Sequence, residues 1–153
     1  MSLRVEDVMV KELITIDVSA SALEAAEIMN MYDIGCLIVM EEGRPVGIVT
    51  ERDMLKRVLL QQKDPSKTGV MDFMSRPLLV STPKAEIRDA VRIMNERRIK
   101  RLPVVEGGNL LGLVSLTDIV RSLAYFEHAI SSLCARCQYG KQETSTEPEQ
   151  VAA

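Results

Sequence analysis

Two short stretches of the sequence share a glycine, a hydroxyl residue and an aspartate at one fixed spacing. They read GIVTERD, which ends at Asp53, and GLVSLTD, which ends at Asp118. A carboxylate only accepts hydrogen bonds, and it can accept two from the neighbouring hydroxyls of a ribose. Thr50 and Ser115 can cap a helix or turn toward a sugar or phosphate oxygen. The pattern therefore predicts two ribose-binding aspartates, each with a hydroxyl residue beside it.

The same four residues also fit an ordinary helix start. Thr50 and Ser115 can serve only as N-caps, and an aspartate three positions later is favourable in the first helical turn. This second interpretation needs no ligand, and capping is common enough to explain the hydroxyls alone. The ribose hypothesis therefore depends on the aspartates.

The two motifs belong to a longer internal repeat. A shift of 65 residues places the first half on the second without a gap, so that Met29 falls on Met94 and Gly47 on Gly112. Each half has an apolar stripe at helical spacing and two short apolar runs joined by a glycine-containing turn. The predicted order is strand, helix, strand, strand, helix, which gives an α/β (α+β) fold with two βαββα repeats. The predicted divisions are a first repeat at 1–62, a linker at 63–69, a second repeat at 70–126 and, at 127–153, a C-terminal helix extension with a CxxC sequence and a disordered tail.

Local signals predict where the helices begin. Ser21 and Glu24 fit a capping box at the first long helix. Thr82 and Pro83 mark the corresponding helix start in the second half. A further helix is predicted to follow each hairpin and to begin near the hydroxyl residue of each motif.

Basic residues are distributed unequally between the repeats. Residues 84–101 contain seven bases and three acids, whereas the matching residues 19–36 contain three acids and no base. Arg52 stands beside the first aspartate of the motif pair, and Thr117 stands beside the second. A guanidinium makes a two-pronged contact with phosphate that a threonine cannot make, so two sites of this kind would not be equivalent.

The element order, the DVM and DFM sequences that end at Met9 and Met74, and the two glycine-hydroxyl-aspartate motifs resemble a tandem pair of cystathionine-β-synthase (CBS) domains. The resemblance covers residues 5–125. It implies a Bateman module with pseudo-twofold symmetry, in which two sheets pack together and leave two clefts. It also implies an adenosine ligand such as AMP, ADP, ATP or S-adenosylmethionine, and association of two modules as a homodimer.

The resemblance further implies which residues would contact the ligand. Phosphates are expected near the middle of the module, where Arg52 and Arg101 from opposite halves would serve one ligand, with Lys100 beside them. The first half departs from this pattern, because it has Gly35 and Cys36 where the second half has the two bases. The adenine is expected near the first strand of each half, at Ile14, Thr15 and Ile16 and at Leu79, Val80, Ser81 and Thr82. The other arginines of the second repeat are interpreted as a solvated helix face, at Arg88, Arg92, Arg97 and Arg98.

Composition and charge argue against several classes of function. The 153 residues are 46% hydrophobic and 27% charged, which is ordinary for a folded soluble protein. A net charge of -3 gives no general attraction for nucleic acid. No apolar run reaches the roughly 18 residues of a membrane span, and the N-terminus has no signal layout, so we expect a cytoplasmic location. His128 is the only histidine and Cys36 is predicted to be buried, so no catalytic pair is visible and we predict a non-enzyme.

The C-terminal extension contains half of a four-cysteine zinc motif. Cys134 and Cys137 have the required spacing, and His128 is a candidate third ligand. A complete site would need a second chain of a dimer or another partner. Two incidental cysteines at a helix end are the simpler interpretation.

Two functional hypotheses follow from the sequence. The first is a sensor that binds an adenine nucleotide and signals to an unknown effector protein through a conformational change or a change in dimer contacts. The second is a ligand-free scaffold for dimerisation or interaction. A weaker alternative to both is a nucleic-acid regulator that uses the basic second repeat. S-adenosylmethionine and NAD are alternative ligands.

Overall fold

The computed structural model of the chain describes residues 2–133, with the backbone alone for the last four of these. In chain order the elements are α1 (Val5–Val8), β1 (Thr15–Asp17), α2 (Ala22–Tyr32), β2 (Cys36–Glu41), β3 (Arg44–Thr50), α3 (Glu51–Met54), α4 (Val70–Phe73), α5 (Ile87–Arg97), β4 (Arg101–Glu106), β5 (Asn109–Ser115) and α6 (Leu116–Leu133). The helix α3 continues into a π-helical turn at Leu55–Leu59. Within residues 2–133 no helix has the length and apolar character that a membrane crossing requires.

The first half is a three-stranded sheet with α2 packed against it. β1 pairs in parallel with β2, and β2 pairs antiparallel with β3 across a turn at Gly43, whose φ of 77° suits glycine. The predicted capping box of α2 is confirmed. The Ser21 hydroxyl accepts from the Glu24 N–H at 3.1 Å, and the Glu24 carboxylate accepts from the Ser21 N–H at 2.7 Å. The apolar stripe of α2 is buried in the core, as the spacing predicts.

The second half repeats the hairpin but shortens the first strand. β4 and β5 are antiparallel, whereas only a single parallel bridge joins Ser81 to Val104. In the first half, the Val18 N–H donates to the Met40 carbonyl at 2.9 Å and extends the pairing of β1. The repeat places Pro83 at the position of Val18, and proline has no N–H to donate. On the partner strand Pro103 stands at the position of Ile38 and also has no N–H, so one bridge remains.

The long helix of the second half begins later than the sequence predicts. The prediction that Thr82 and Pro83 start this helix is wrong, because α5 begins at Ile87 and Glu86 is its N-cap. The Ala85 N–H donates to the Thr82 carbonyl at 3.2 Å, so these residues form a turn before the helix. Glu86 is the repeat equivalent of the Ser21 cap, and its longer side chain makes no capping hydrogen bond.

Each half is completed by a short helix from the segment that precedes the other half. Phe73 of α4 is fully buried in the core of the first half, together with Val70 and Met74. Val5 of α1 is fully buried in the core of the second half. The Val70 N–H donates to the Ala20 carbonyl at 2.8 Å, which ties α4 to the start of α2. The short helix that precedes each half therefore packs in the core of the other half, so the two halves exchange these leading segments.

The glycines of the two motifs lie where these exchanged segments approach most closely. A Cβ added at Gly47 would lie 2.6 Å from the Met74 Sδ atom. A Cβ added at Gly112 would lie 2.8 Å from both the Met9 Sδ atom and the Val10 carbonyl oxygen. Met9 and Met74 end the DVM and DFM sequences, so the two repeated signatures of the sequence contact each other.

Replacing Gly112 with alanine is expected to lower the free energy of unfolding by about 1–3 kcal/mol, because the new methyl group overlaps the backbone carbonyl of Val10. Urea unfolding followed by circular dichroism measures this change. Gly69→Ala is the matched control, since the nearest atom there is the movable Asp72 carboxylate at 3.3 Å. Equal stability of the two variants would show that α1 does not pack on β5.

Candidate functional site

A cavity of about 520 Å³ opens between the two halves of the module. Its volume is in the range of small-molecule sites. The first half contributes the end of β3 and the start of α3, and the second half contributes residues 77–79 and 98–101. We call this cavity the first cleft, because it contains the motif of the first half.

Thr50 and Asp53 lie in the first cleft and form a capping box at the start of α3. The Asp53 Oδ2 atom accepts from the Thr50 N–H at 3.0 Å and from the Thr50 hydroxyl at 3.1 Å. The Asp53 N–H in turn lies 3.2 Å from the Thr50 hydroxyl oxygen. Asp53 is only 7% exposed and still lines the cavity. The capping interpretation of Thr50 is confirmed, and the cap also holds the carboxylate at the cleft.

A second donor reaches Asp53 from the segment that follows α4. The Ser75 hydroxyl donates to the Asp53 Oδ1 atom at 3.0 Å, and Arg57 Nη1 lies 3.9 Å from the same oxygen. A carboxylate offers about four acceptor positions. Thr50 fills two of these and Ser75 fills one. In this arrangement Asp53 has room for one further hydrogen bond from a ligand.

Basic side chains from both halves line the first cleft. Arg52 comes from α3 of the first half, and Arg101 comes from the start of β4 in the second half. Lys100 and Arg98 precede Arg101 and also line the cavity, so the four bases outnumber the acids Glu51 and Asp53. This charge distribution suits an anionic group such as phosphate.

Gly35 leaves room for the guanidinium of Arg101 to reach the first half. A Cβ added at Gly35 would lie 3.0 Å from Arg101 Nη2 and 3.2 Å from Glu51 Oε2. The Glu51 N–H also donates to the Gly35 carbonyl at 3.1 Å. Side chains of the two halves therefore meet beside Gly35.

Cys36 follows this junction and is buried at the start of β2, as the sequence predicts. Burial raises the pKa of the Cys36 thiol, Arg101 lowers it to a smaller extent, and Glu51 raises it. The thiol is therefore protonated at neutral pH, and a protonated thiol is a poor nucleophile.

The second motif repeats the cap but lies outside the first cleft. The Ser115 hydroxyl donates to Asp118 Oδ2 at 2.5 Å and accepts from the Asp118 N–H at 3.1 Å. Both residues are half-buried, and neither is among the described residues that line the cavity. In the repeat, Thr117, Asp33 and Cys36 are the equivalents of Arg52, Arg98 and Arg101. The three repeat positions that carry cations in the first cleft therefore carry no base in the other half.

The residues predicted to contact adenine are divided between several environments. Leu79 lines the first cleft together with Pro77 and Leu78. Val80 is exposed and Ser81 is buried, where its N–H donates to the Pro103 carbonyl at 2.8 Å. Within the described chain, Val80, Ser81 and Thr82 are not part of the cavity lining, and neither are Ile14, Thr15 and Ile16. Ile16 belongs to the core of the first half, and Ile14 packs against it.

Several residues of the first cleft were not selected by sequence reasoning. Arg98 lies in the cavity lining, although the sequence groups it with a solvated helix face. It is the C-cap of α5 and has a φ of 54°, so it lies just beyond the last helical residue. In the sequence, Arg98 lies between the helical pattern that includes Asn95 and the strand pattern in IKRLPVV, and this change of pattern indicates that the helix ends there. Ser75 and Glu51 carry no comparable signal, because their roles depend on contacts across the module.

The described residues contain no group of three or more His, Cys, Asp or Glu side chains placed to hold a metal ion. Cys134 and Cys137, which form the predicted half of a zinc motif, lie outside the described residues.

Comparison with known proteins identifies the family. The model of the CBS domain matches this chain twice, at residues 5–60 and 70–125. An uncharacterized protein of Methanopyrus kandleri is 34% identical over 81% of this chain, and this chain spans 64% of that relative's length. The CBS domain-containing protein YhcV of Bacillus subtilis is 33% identical over 84% of this chain and 91% of its own length.

A solved structure adds a ligand-bound example. It is the CBS domain pair of protein MJ0100 in complex with 5'-methylthioadenosine and S-adenosyl-L-methionine. It is 27% identical to this chain, with a TM-score of 0.75, and the alignment covers 82% of this chain and 99% of that chain. A protein similar to this one therefore binds adenosine compounds.

Proposed function

Because the chain belongs to the CBS domain family and carries two such domains in tandem, we propose that it is a regulatory module that binds an adenine nucleotide, AMP, ADP or ATP, in the first cleft. The observation that carries the proposal is the meeting of Asp53, Arg52 and Arg101 at one cavity between the halves. These residues would supply a ribose acceptor and phosphate-binding cations within one small-molecule volume. The role is binding and signalling, with no catalytic step.

The parts of a nucleotide match different walls of the first cleft. Asp53 accepts a ribose hydroxyl, with Thr50 holding the carboxylate in place. The guanidinium groups of Arg52 and Arg101 pair with phosphate oxygens. Ile48 and the segment 77–79 supply an apolar surface for the flat face of adenine.

Binding would couple the two halves, because the cleft residues come from both. A phosphate held between Arg52 and Arg101 favours one spacing of α3 and β4 over others. A ligand shifts a conformational equilibrium only by its difference in affinity for the two states. The angle between the halves is the variable that an effector protein would sense.

A ligand-free scaffold is the second candidate function. The observation that favours it is the capping geometry, since Thr50 and Ser115 are both satisfied by their own aspartates without a ligand. In such a protein no anionic ligand would offset the excess of four bases over two acids in the first cleft. The same four bases disfavour S-adenosylmethionine, whose sulfonium is cationic, relative to AMP, ADP or ATP.

A thermal-shift panel of AMP, ADP, ATP, S-adenosylmethionine and NAD separates these candidates. A ligand that binds only the folded state stabilises it by about 2.7 kcal/mol at a concentration of 100 times its Kd. We expect the phosphorylated adenosines to raise the melting temperature and S-adenosylmethionine to have a smaller effect. No shift with any of the five compounds would favour the scaffold.

We further propose that the module forms a homodimer through the helices that follow the two hairpins. Leu55 and Leu59 after α3, and Val120 and Leu123 on α6, are all exposed apolar side chains. Large apolar side chains exposed in groups on such helices are typical of a protein interface, and a symmetric dimer would bury the same residues of both chains.

We expect a dimer by light scattering and a monomer for the Leu59→Asp, Val120→Asp double variant. Leu23→Asp, on the exposed side of α2, is the control, and a dimer that survives the double variant would exclude this interface.

A further inference from the structure

The hydrogen bond from Ser75 to Asp53 occupies the carboxylate on which the proposed ribose site depends. The two side chains are 22 positions apart in the sequence, and their oxygens are 3.0 Å apart. Both residues line the first cleft, and Asp53 is almost fully buried. With Thr50 on the other carboxylate oxygen, one acceptor position remains where a ribose diol needs two.

Ser75 is held in this position by its backbone. Its N–H donates to the Ile48 carbonyl at 2.8 Å, and its own carbonyl accepts from the Ile48 N–H at 3.2 Å. These two bonds hold the main chain of Ser75 beside β3. They do not involve the hydroxyl, so they can stay intact when the hydroxyl leaves Asp53. Rotation of the Ser75 side chain about χ1 is sufficient, and such rotations are rapid.

We propose that Ser75 is a specificity-determining residue of the first cleft, whose hydroxyl competes with the ligand's diol for Asp53. The inference rests on the proposed nucleotide function and deepens it. A ligand with two neighbouring hydroxyls must displace Ser75 to use both, whereas a ligand with one hydroxyl uses the remaining acceptor position. Ser75 therefore lowers the affinity for ribonucleotides more than the affinity for deoxynucleotides.

The second half shows that this competition is not a general requirement of the fold. The residue at the repeat position of Ser75 is Val10, which makes the same backbone pairing with Leu113, 2.9 Å in each direction. Valine has no hydroxyl to donate. Among residues 2–133, both hydrogen bonds to the Asp118 carboxylate come from Ser115. The backbone pairing is thus independent of the hydroxyl, and the competing donor is specific to the first cleft.

Calorimetric titration of AMP and 2'-deoxy-AMP into the wild-type protein and the Ser75→Ala variant tests the proposal. We expect Ser75→Ala to bind AMP roughly three- to tenfold more tightly, because one competing hydrogen bond is removed, and to bind 2'-deoxy-AMP as the wild type does. Ser75→Thr keeps the hydroxyl and is expected to restore wild-type affinity. Ser66→Ala is the matched control, since its hydroxyl donates to Asp64 in the linker.

Each outcome of this titration has a separate meaning. An unchanged or weaker affinity of Ser75→Ala for AMP, with the wild type binding AMP, overturns the Ser75 inference and leaves the nucleotide function in place. An equal gain for AMP and 2'-deoxy-AMP also overturns it, because the competition would not involve the diol. Absence of binding of any adenine nucleotide to the wild type and to all variants overturns the proposed function, and the inference about Ser75 with it.

Discussion

Replacing Phe73 with alanine is expected to lower the free energy of unfolding by about 3–5 kcal/mol, which is a large part of the stability of a domain of this size. Phe73 is fully buried, yet it lies on the four-residue helix α4, which cannot be stable alone. Its burial therefore depends on the core of the first half, where it contacts the cluster that includes Val39 and Val49. The loss combines the transfer of a large side chain to water with the cavity left behind.

Chemical denaturation, fitted as a two-state transition, measures this effect. Met71→Ala on the same helix is the control, because Met71 is exposed and its truncation should cost less than about 1 kcal/mol. A cost below 1 kcal/mol for Phe73→Ala would show that α4 does not complete the first half. The exchange of leading segments would then be wrong as a description of the fold.

Arg101→Ala is expected to weaken AMP binding by about 10- to 100-fold, the range that follows from losing a charged hydrogen-bond partner of phosphate. The Arg101 guanidinium lies beside Gly35 and Glu51 of the other half, so its loss removes the cation that spans the module. The affinity for adenosine, which has no phosphate, should change little. The contrast between AMP and adenosine separates a phosphate contact from general damage to the fold.

Arg92→Ala is the matched control for this arginine. Arg92 is exposed on α5 and pairs with Asp89 at 3.1 Å, away from the cavity lining. We expect its AMP affinity in calorimetric titrations to equal that of the wild type. An equal loss of AMP and adenosine binding in Arg101→Ala, or an equal loss in the two arginine variants, would contradict the phosphate assignment.

Much of the local structure could be predicted from the sequence, because it depends on contacts between near neighbours. The capping box at Ser21 needs only Glu24 three residues later, and the turn at Gly43 needs only a residue that tolerates positive φ. The repeat itself was visible as a gapless register of 65 residues. The sequence predicts the start of α5 too early, because Thr82 and Pro83 form a turn that has the same residue types as a helix start.

The composition of the first cleft was only partly predictable, since it is assembled from distant segments. The resemblance to the CBS family predicts Arg52 and Arg101 at the phosphates, and both line the cavity. Arg98 is exposed, as predicted, but its place in the cavity lining follows from the left-handed backbone conformation at the end of α5 and could not be read from the sequence. Ser75 could not be found from the sequence, because its bond to Asp53 exists only when α4 packs on the opposite half.

The central claim is that the first cleft binds the ribose and phosphate of an adenine nucleotide, with Asp53 as the acceptor of the ribose hydrogen bond. Its most direct test is calorimetric titration of AMP into the wild type, Asp53→Ala and Asp118→Ala, with the stoichiometry measured together with the affinity. The account predicts one AMP per chain in the wild type, loss of binding in Asp53→Ala and retention of binding in Asp118→Ala. Unchanged binding in Asp53→Ala, or loss of binding only in Asp118→Ala, would contradict it.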